Sequence, residues 1–313
     1  MQHQPTTFVT IDSLSADQRI DNFLLRQLKG FPKSHIYRII RKGEVRVNKG
    51  RIKPCYRLQV GDVVRIPPAQ VATKGECVPP SKNVLDVLAN SVLYQDNSLL
   101  VINKPTGLAV HGGSGIGYGV IEGLRALYPA APYLELVHRL DRETSGCLMI
   151  AKKPALLRQL HQLLRDNQLH KRYLALVKGQ WPTRLTTINA PLQKNICQSG
   201  ERVVKVDAQG KPARSHFTLK QAFSQTNPCV SLIEVELETG RTHQIRVHTA
   251  FAQHPIAGDG KYGDEAFNTQ MKNHGLQRLF LHAASIRLNI NDKPLTIEAP
   301  LPMELTPVLK RLA

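Results

Sequence analysis

Near the start of the chain, apolar residues recur with helical spacing; farther along they gather into short strand-like runs separated by turn residues. Ile20, Phe23, Leu24 and Leu28 fall on one helical face, behind a capping-box pattern at Ser15 and Gln18. A second helix is predicted from Ser34 as N-cap to Gly43 as the stop, with Pro32 just ahead. On it Ile36, Ile39 and Ile40 share one side, and Arg38, Arg41 and Lys42 the other. A hairpin is predicted around Asn48, Lys49 and Gly50. Pro67-Pro68 and Pro79-Pro80 then bracket polar residues, which reads as a linker without helix or sheet.

From about residue 86 the pattern changes. Val92–Tyr94 and Leu99–Ile102 flank a turn, and Lys104–Gly107 forms another. Leu148–Ala151 reads as a buried strand, and 154–167 as an amphipathic helix through Leu156, Leu157, Leu160, Leu163 and Leu164. Further strands are predicted at Tyr173–Val177, Phe217–Gln221, Ser231–Glu238, Gln244–His248 and Ile286–Ile290. The economical fold class is α+β: a small N-terminal module, then a large mixed, mainly antiparallel sheet with helices packed beside it. This divides the chain into an N-terminal extension (1–16), a small module (17–67), a linker (68–85) and a large domain (86–313).

Charge adds a partner to this picture. The 313 residues carry 42 Lys and Arg against 24 Asp and Glu, a net +18. Residues 1–85 hold 15 of those cations and 6 of the acids, so half the excess sits in about a quarter of the chain. Between Lys33 and Arg57 stand nine cations and a single acid, Glu44. A face that only kept a helix soluble would mix its signs; this one suits a polyanion, and Lys33, Arg38, Arg41, Lys42 and Lys53 are the candidates to bind RNA phosphates. No apolar run approaches the roughly 20 residues of a membrane span, and Met1 to Asp12 lacks the basic start and apolar stretch of a signal peptide. Five scattered cysteines without a CxxC pair read as free thiols in a reducing cytoplasm.

The chemistry concentrates in the run Val137-His138-Arg139-Leu140-Asp141-Arg142-Glu143-Thr144-Ser145-Gly146. An apolar approach leads to one acid between two arginines, and a small-residue turn leads into a buried strand. Such a junction can hold a carboxylate in place while leaving it open to a cleft. An isolated Arg-x-Asp would ordinarily be a surface ion pair of little energetic weight, but the complete run resembles the active-site signature of RluA-family pseudouridine synthases, which modify ribosomal and related RNAs. Asn103 to His111, Lys171 to Val177 and Thr239 to His248 resemble that family's other motifs, in the same order. Gln18 to Ile66 resembles an S4 RNA-binding domain, through Arg19-Ile20-Asp21, Ile39-x-Arg41-Lys42-Gly43 and Val60-Gly61-Asp62 among others. Matches at Leu192 to Ile196 and Gln198 to Arg202 point to members acting on large-subunit ribosomal RNA.

The resemblance implies that Asp141 is the catalytic carboxylate of a cofactor-independent isomerisation. The N1–C1′ bond of uridine breaks, the base turns, and it rejoins through C5. A hydrolytic glycosidase would need two cooperating acids, and Glu143, in a variable position of the motif, is a poor second. The resemblance also assigns Arg139 to the space vacated by a flipped base, Tyr173 to a place against the uracil, and Arg246 to pairing with Asp141. The simpler account of Tyr173 is a packed strand residue. If 241–248 is extended, Arg246 and Arg241 lie on opposite faces, which leaves Arg241 for RNA phosphate or local structure. The same alternation separates His243 from His248 and disfavours a zinc site. The glycines from Gly112 to Gly119 lack nucleotide-loop spacing, so no nucleotide cofactor is implied. The expected partner is large-subunit ribosomal RNA or an assembly intermediate, bound by a cytoplasmic monomer. The rivals are a synthase for transfer RNA and a noncatalytic RNA-binding assembly protein.

Overall fold

Two helices, Ile20–Gln27 and Lys33–Arg41, realise the first apolar pattern. Ile36, Ile39 and Ile40 are buried with Phe23 and Leu24, and burying a side chain of this size contributes about 1.5–3 kcal/mol. Arg38, Arg41 and Lys42 stay exposed, as a 3.6-residue repeat requires when the apolar set faces inward. Beside the helices lies a three-stranded antiparallel sheet ordered Thr7–Thr10, Val63–Ile66, Arg46–Val47. The tight turn between Val47 and Gly50 places Asn48 and Lys49 in left-handed backbone. Residues 1–77 form one compact unit and residues 78–313 a second. The structure, a computed structural model, describes residues 3–4, 6–13, 15–28, 31, 33–70, 80–113, 117–196, 202–290 and 292–313.

Three local expectations need correction in this region. Residues 7–10 are a sheet strand, not an extension, because Thr7 to Thr10 pair with Val63 to Ile66. Ser15 does not cap the first helix: its N–H donates to Asp12 Oδ1 at 2.8 Å, and the helix begins at Ile20 after an extended Arg19. The segment expected to be linker already contains the start of helix Lys82–Ala89, where Ser81 is the N-cap. Downstream of Pro80 nothing interrupts the apolar spacing of Val84 and Leu88, and Leu88 is fully buried.

The second unit is built on a ten-stranded mixed sheet. Its main path runs Thr187–Asn189, Arg214–Phe223, Val230–Leu237, His170–Lys178, Leu281–Ile290, Ser145–Ala151, Leu99–Lys104, Val92–Gln95. All these pairings are antiparallel except Leu281–Ile290 with Ser145–Ala151. Ser145–Ala151 is buried along its whole length, so it reads as a continuous apolar run where a half-exposed strand would alternate. At its start Gly146 has φ 110°, and a Cβ there would lie 2.2 Å from the Ala283 carbonyl oxygen. Only glycine lets these two strands approach. Helix Pro154–Arg165 packs Leu156 and Leu160 inward.

The expected strand Gln244–His248 is a helix, Gln244–Phe251. Gln244 to Thr249 are all buried. A helix covered on every side loses the polar face that would reveal its period, and Ile245 and Val247 then mimic strand alternation. The chain enters this helix through His243 in left-handed backbone, φ 54°, and Gln244 Oε1 accepts from the Arg241 N–H and the Thr239 hydroxyl.

Candidate active site

Asp141 sits in the turn just before strand Ser145–Ala151, and a buried lysine holds that turn in place. Lys104 Nζ donates to the carbonyls of Pro105 and Leu108 at 2.8 Å and of Arg142 at 3.1 Å. Gly107 N–H also donates to Arg142 O, Arg142 Nε donates back to Gly107 O, and the Thr106 hydroxyl donates to Glu143 O. The Lys104–Gly107 turn is thus stitched to the turn bearing Asp141, although they lie far apart in sequence. Burial, with the Arg278 charge, lowers the Lys104 amine to about 7 against the opposing pull of Asp141.

Asp141 lines a cavity of about 310 Å³ together with Arg139, Tyr173, Arg241, His243 and Arg246. A second hollow, of about 570 Å³, lies against the same carboxylate and reaches His111 and Lys261. Arg246 Nη1 stands 3.8 Å from Asp141 Oδ2, a charge contact longer than a hydrogen bond. Its close partner is Asp259, which accepts from Arg246 Nε and Nη2 at 2.7 Å each. Both are buried. Burial opposes the charge on Arg246, but hydrogen bonds to Asp259 and the charges of Asp259, Asp141 and Glu143 outweigh it and raise its pKa. The guanidinium carbon also lies 5.2 Å from the centre of the Tyr262 ring.

Tyr173, on strand His170–Lys178, is 6% exposed. Burial first, and the Asp141 charge second, push its phenol well above the ordinary range. It therefore holds its proton at neutral pH. Lys171, two residues earlier on the same strand, lines the same cavity, with an amine lowered by burial. His138 is held neutral: its Nε2 accepts from the Met149 N–H at 3.2 Å, and burial with the Lys171 charge lowers it to about 3.

The four residues expected around the reacting base (Arg139, Asp141, Tyr173 and Arg246) therefore meet at one cavity, and Arg241, expected on the opposite face from Arg246, lines it too because the segment is not a strand. Arg139 is exposed, and Arg241 Nε donates to the Pro212 carbonyl at 3.0 Å. Arg38, Arg41, Lys42 and Lys53 are exposed on the first unit; the side chain of Lys33 lies outside the described residues. The strand argument erred about His243. It lies one helical turn before Arg246, and its Nε2 is 3.9 Å from Asp141 Oδ1, so both residues face the same carboxylate. His248 is elsewhere, buried against Ser215 and the Ala190 carbonyl. Sequence reading also missed Lys104, Asp259 and Tyr262; the pairing of Asp259 with Arg246 has no local signature. Of the two finer matches, 197–201 lies outside the described residues, as does 114–116 in the glycine cluster. Among the described residues no group of three or more His, Cys, Asp or Glu side chains could hold a metal, and no helix is long and apolar enough to cross a membrane.

The fold and cavity define an RNA-modifying enzyme with a separate RNA-binding module. Residues 98–251 match the RNA pseudouridylate synthase family and residues 18–64 the S4 domain. The chain belongs to the RNA pseudouridylate synthase family and is an RNA pseudouridine synthase with an S4 domain. Ribosomal large subunit pseudouridine synthase C of Haemophilus ducreyi is 54% identical over 311 residues, covering 97% of this chain and 95% of that protein. The protein of that name from Escherichia coli is 53% identical over 309 residues, covering 97% and 96%. Among solved structures, human RNA pseudouridylate synthase domain containing 4 superposes with a TM-score of 0.59 at 28% identity, covering 74% of this chain and 95% of that one.

Proposed function

We propose that this enzyme converts uridine to pseudouridine in large-subunit ribosomal RNA, with Asp141 as the reacting carboxylate. One observation carries the reading: Asp141 opens into a nucleoside-sized cavity with a buried cation beside it and a buried tyrosine in the same wall, while Glu238, the other carboxylate of the lining, is engaged by His216 at 2.6 Å and Arg214 at 3.7 Å. At about 310 Å³ the cavity falls near the lower end of small-ligand pockets.

A uridine in folded RNA must first leave its stack, at a cost of a few kcal/mol. Arg139, exposed at the cavity and with no ion-pair partner among the described residues, is suited to fill the vacated space. Tyr173 then lies against the uracil. Arg246, whose own proton is tightly held, sets a permanent positive charge 3.8 Å from Asp141 Oδ2. The glycosidic N1–C1′ bond breaks, the retained base turns, C5 bonds to C1′, the C5 proton leaves and N1 gains one. The product is an isomer, so one carboxylate suffices. Arg241 is assigned to an RNA phosphate. Arg38, Arg41, Lys42 and Lys53, with Lys33, provide the salt-sensitive grip on RNA. The enzyme is proposed to act as a cytoplasmic monomer, on ribosomal RNA or an assembly intermediate.

The test maps pseudouridine in RNA from cells lacking this protein, rescued with wild type or Asp141→Asn. Large-subunit marks that return only with wild type are expected. Marks lost from transfer RNA instead would overturn the substrate, and full rescue by Asp141→Asn would overturn the catalytic role.

A further inference from the structure

Asp259 is the root of two arms that end on the two oxygens of Asp141. The first is Arg246, bound to Asp259 and 3.8 Å from Asp141 Oδ2. The second passes through Tyr262, whose backbone N–H donates to Asp259 Oδ1 at 3.0 Å. The Tyr262 hydroxyl accepts the Val204 N–H at 3.0 Å and lies 2.8 Å from His243 Nδ1. A phenol has a single proton to give. Among the described residues, the only acceptor within hydrogen-bond distance for that proton is the Nδ1 lone pair. With the phenol as donor, His243 carries its own proton on Nε2, the nitrogen 3.9 Å from Asp141 Oδ1.

We propose that Tyr262 selects this tautomer of His243, so that the imidazole presents Nε2–H to Asp141 and the two residues position the reacting carboxylate. The proposal rests on the reading of Asp141 given above. Arg246 and His243 each face a different oxygen, which restrains rotation of the carboxylate about its Cβ–Cγ bond. The separation is within about an ångström of hydrogen-bond length, a gap that closes in many sites only when substrate arrives. Burial favours the uncharged ring, as do the charges of Arg246 and Lys261, against Asp141 and Asp259. His243 also holds left-handed backbone, φ 54°, a costly conformation that recurs at functional sites.

Asparagine and glutamine separate the two ring positions. His243→Asn tolerates left-handed backbone and places an amide near Nδ1, where it keeps the Tyr262 contact but cannot reach Asp141. His243→Gln extends an N–H donor to the Nε2 position. With RNA substrate, His243→Asn is expected to lower kcat about ten-fold at unchanged KM, the worth of one hydrogen bond, and His243→Gln to recover most of that loss. A merely structural role gives the opposite order, with Asn near wild type and Gln impaired, and overturns the proposal. Nitrogen NMR of ring-labelled histidine, assigned with the His243→Gln variant, should show Nδ1 unprotonated in wild type and a tautomer mixture in Tyr262→Phe. A protonated Nδ1 in wild type overturns it as well. Asp141→Asn is assayed in parallel. An active Asp141→Asn overturns the underlying reading; an inactive one alongside a fully active His243→Asn overturns this proposal alone.

Discussion

Replacing Asp259 with asparagine tests whether the buried ion pair behind the cavity holds the site together. The substitution keeps the shape but removes the charge, and it turns an amide nitrogen toward the guanidinium donors of Arg246. Asp259 is 1% exposed and Arg246 is 4%, so water cannot replace the lost partner. Breaking a buried pair from one side costs about 3–5 kcal/mol. Asp141 at 3.8 Å and Glu143 at 3.6 Å retain part of the compensation, which favours the lower end, about 3 kcal/mol. For a domain of this size that corresponds to a Tm lower by about 6–12 °C. Thermal melts followed by near-ultraviolet circular dichroism, with urea titrations alongside, measure it. The pH dependence is an independent check. Burial alone would raise the Asp259 carboxyl, but hydrogen bonds and charge from Arg246, together with the N–H groups of Tyr262 and Lys261, hold it below its ordinary 3.8. In the acid range the folded state therefore binds fewer protons than the unfolded chain. The stabilisation is complete above 3.8 and drains away as pH falls through the lower folded value. The gap between wild type and Asp259→Asn should stay constant near neutrality and narrow only in strong acid. A Tm difference under about 2 °C, or a gap that closes as pH rises, would refute the reasoning.

Other outcomes follow from the same geometry. Lys104→Met removes the donor to the carbonyls of Pro105 and Leu108, while Arg142 O keeps the Gly107 N–H, and should cost about 2–3 kcal/mol in urea unfolding; a loss below about 0.5 kcal/mol would mean the amine is dispensable to the turn. Gly146→Ala forces a Cβ to 2.2 Å from the Ala283 carbonyl oxygen at φ 110°, so soluble expression should collapse, and a normal melting curve would contradict the strand approach. Replacing Arg38, Arg41 and Lys42 together with alanine should shrink the slope of log affinity against log salt by roughly 2–3. Binding titrations across salt check it, and kcat at saturating RNA should not change.

The small unit was legible because its helices are amphipathic in the simplest way. Ile36, Ile39 and Ile40 against Arg38, Arg41 and Lys42 allow one orientation only. Strand His170–Lys178 was legible from its β-branched and aromatic residues, and the Asp141 turn from its motif. Helix Gln244–Phe251 was not. Its first six residues, Gln244 to Thr249, are all buried, so solvent imposes no period on them, and the strand assumed in its place set His243 apart from Arg246.

The residue types and their local spacing, together with the motifs around Asp141, therefore determined the RNA-binding charge, the α+β class and the carboxylate about which the chemistry is argued. Contacts distant in sequence were decided by tertiary structure alone. Lys104 clamps Arg142, Asp259 grips Arg246, and Val204 reaches His243 through Tyr262. Local spacing records only which face a side chain takes on its own helix or strand. What that face meets depends on how the strands order in the sheet, and that order is set by packing over the whole domain.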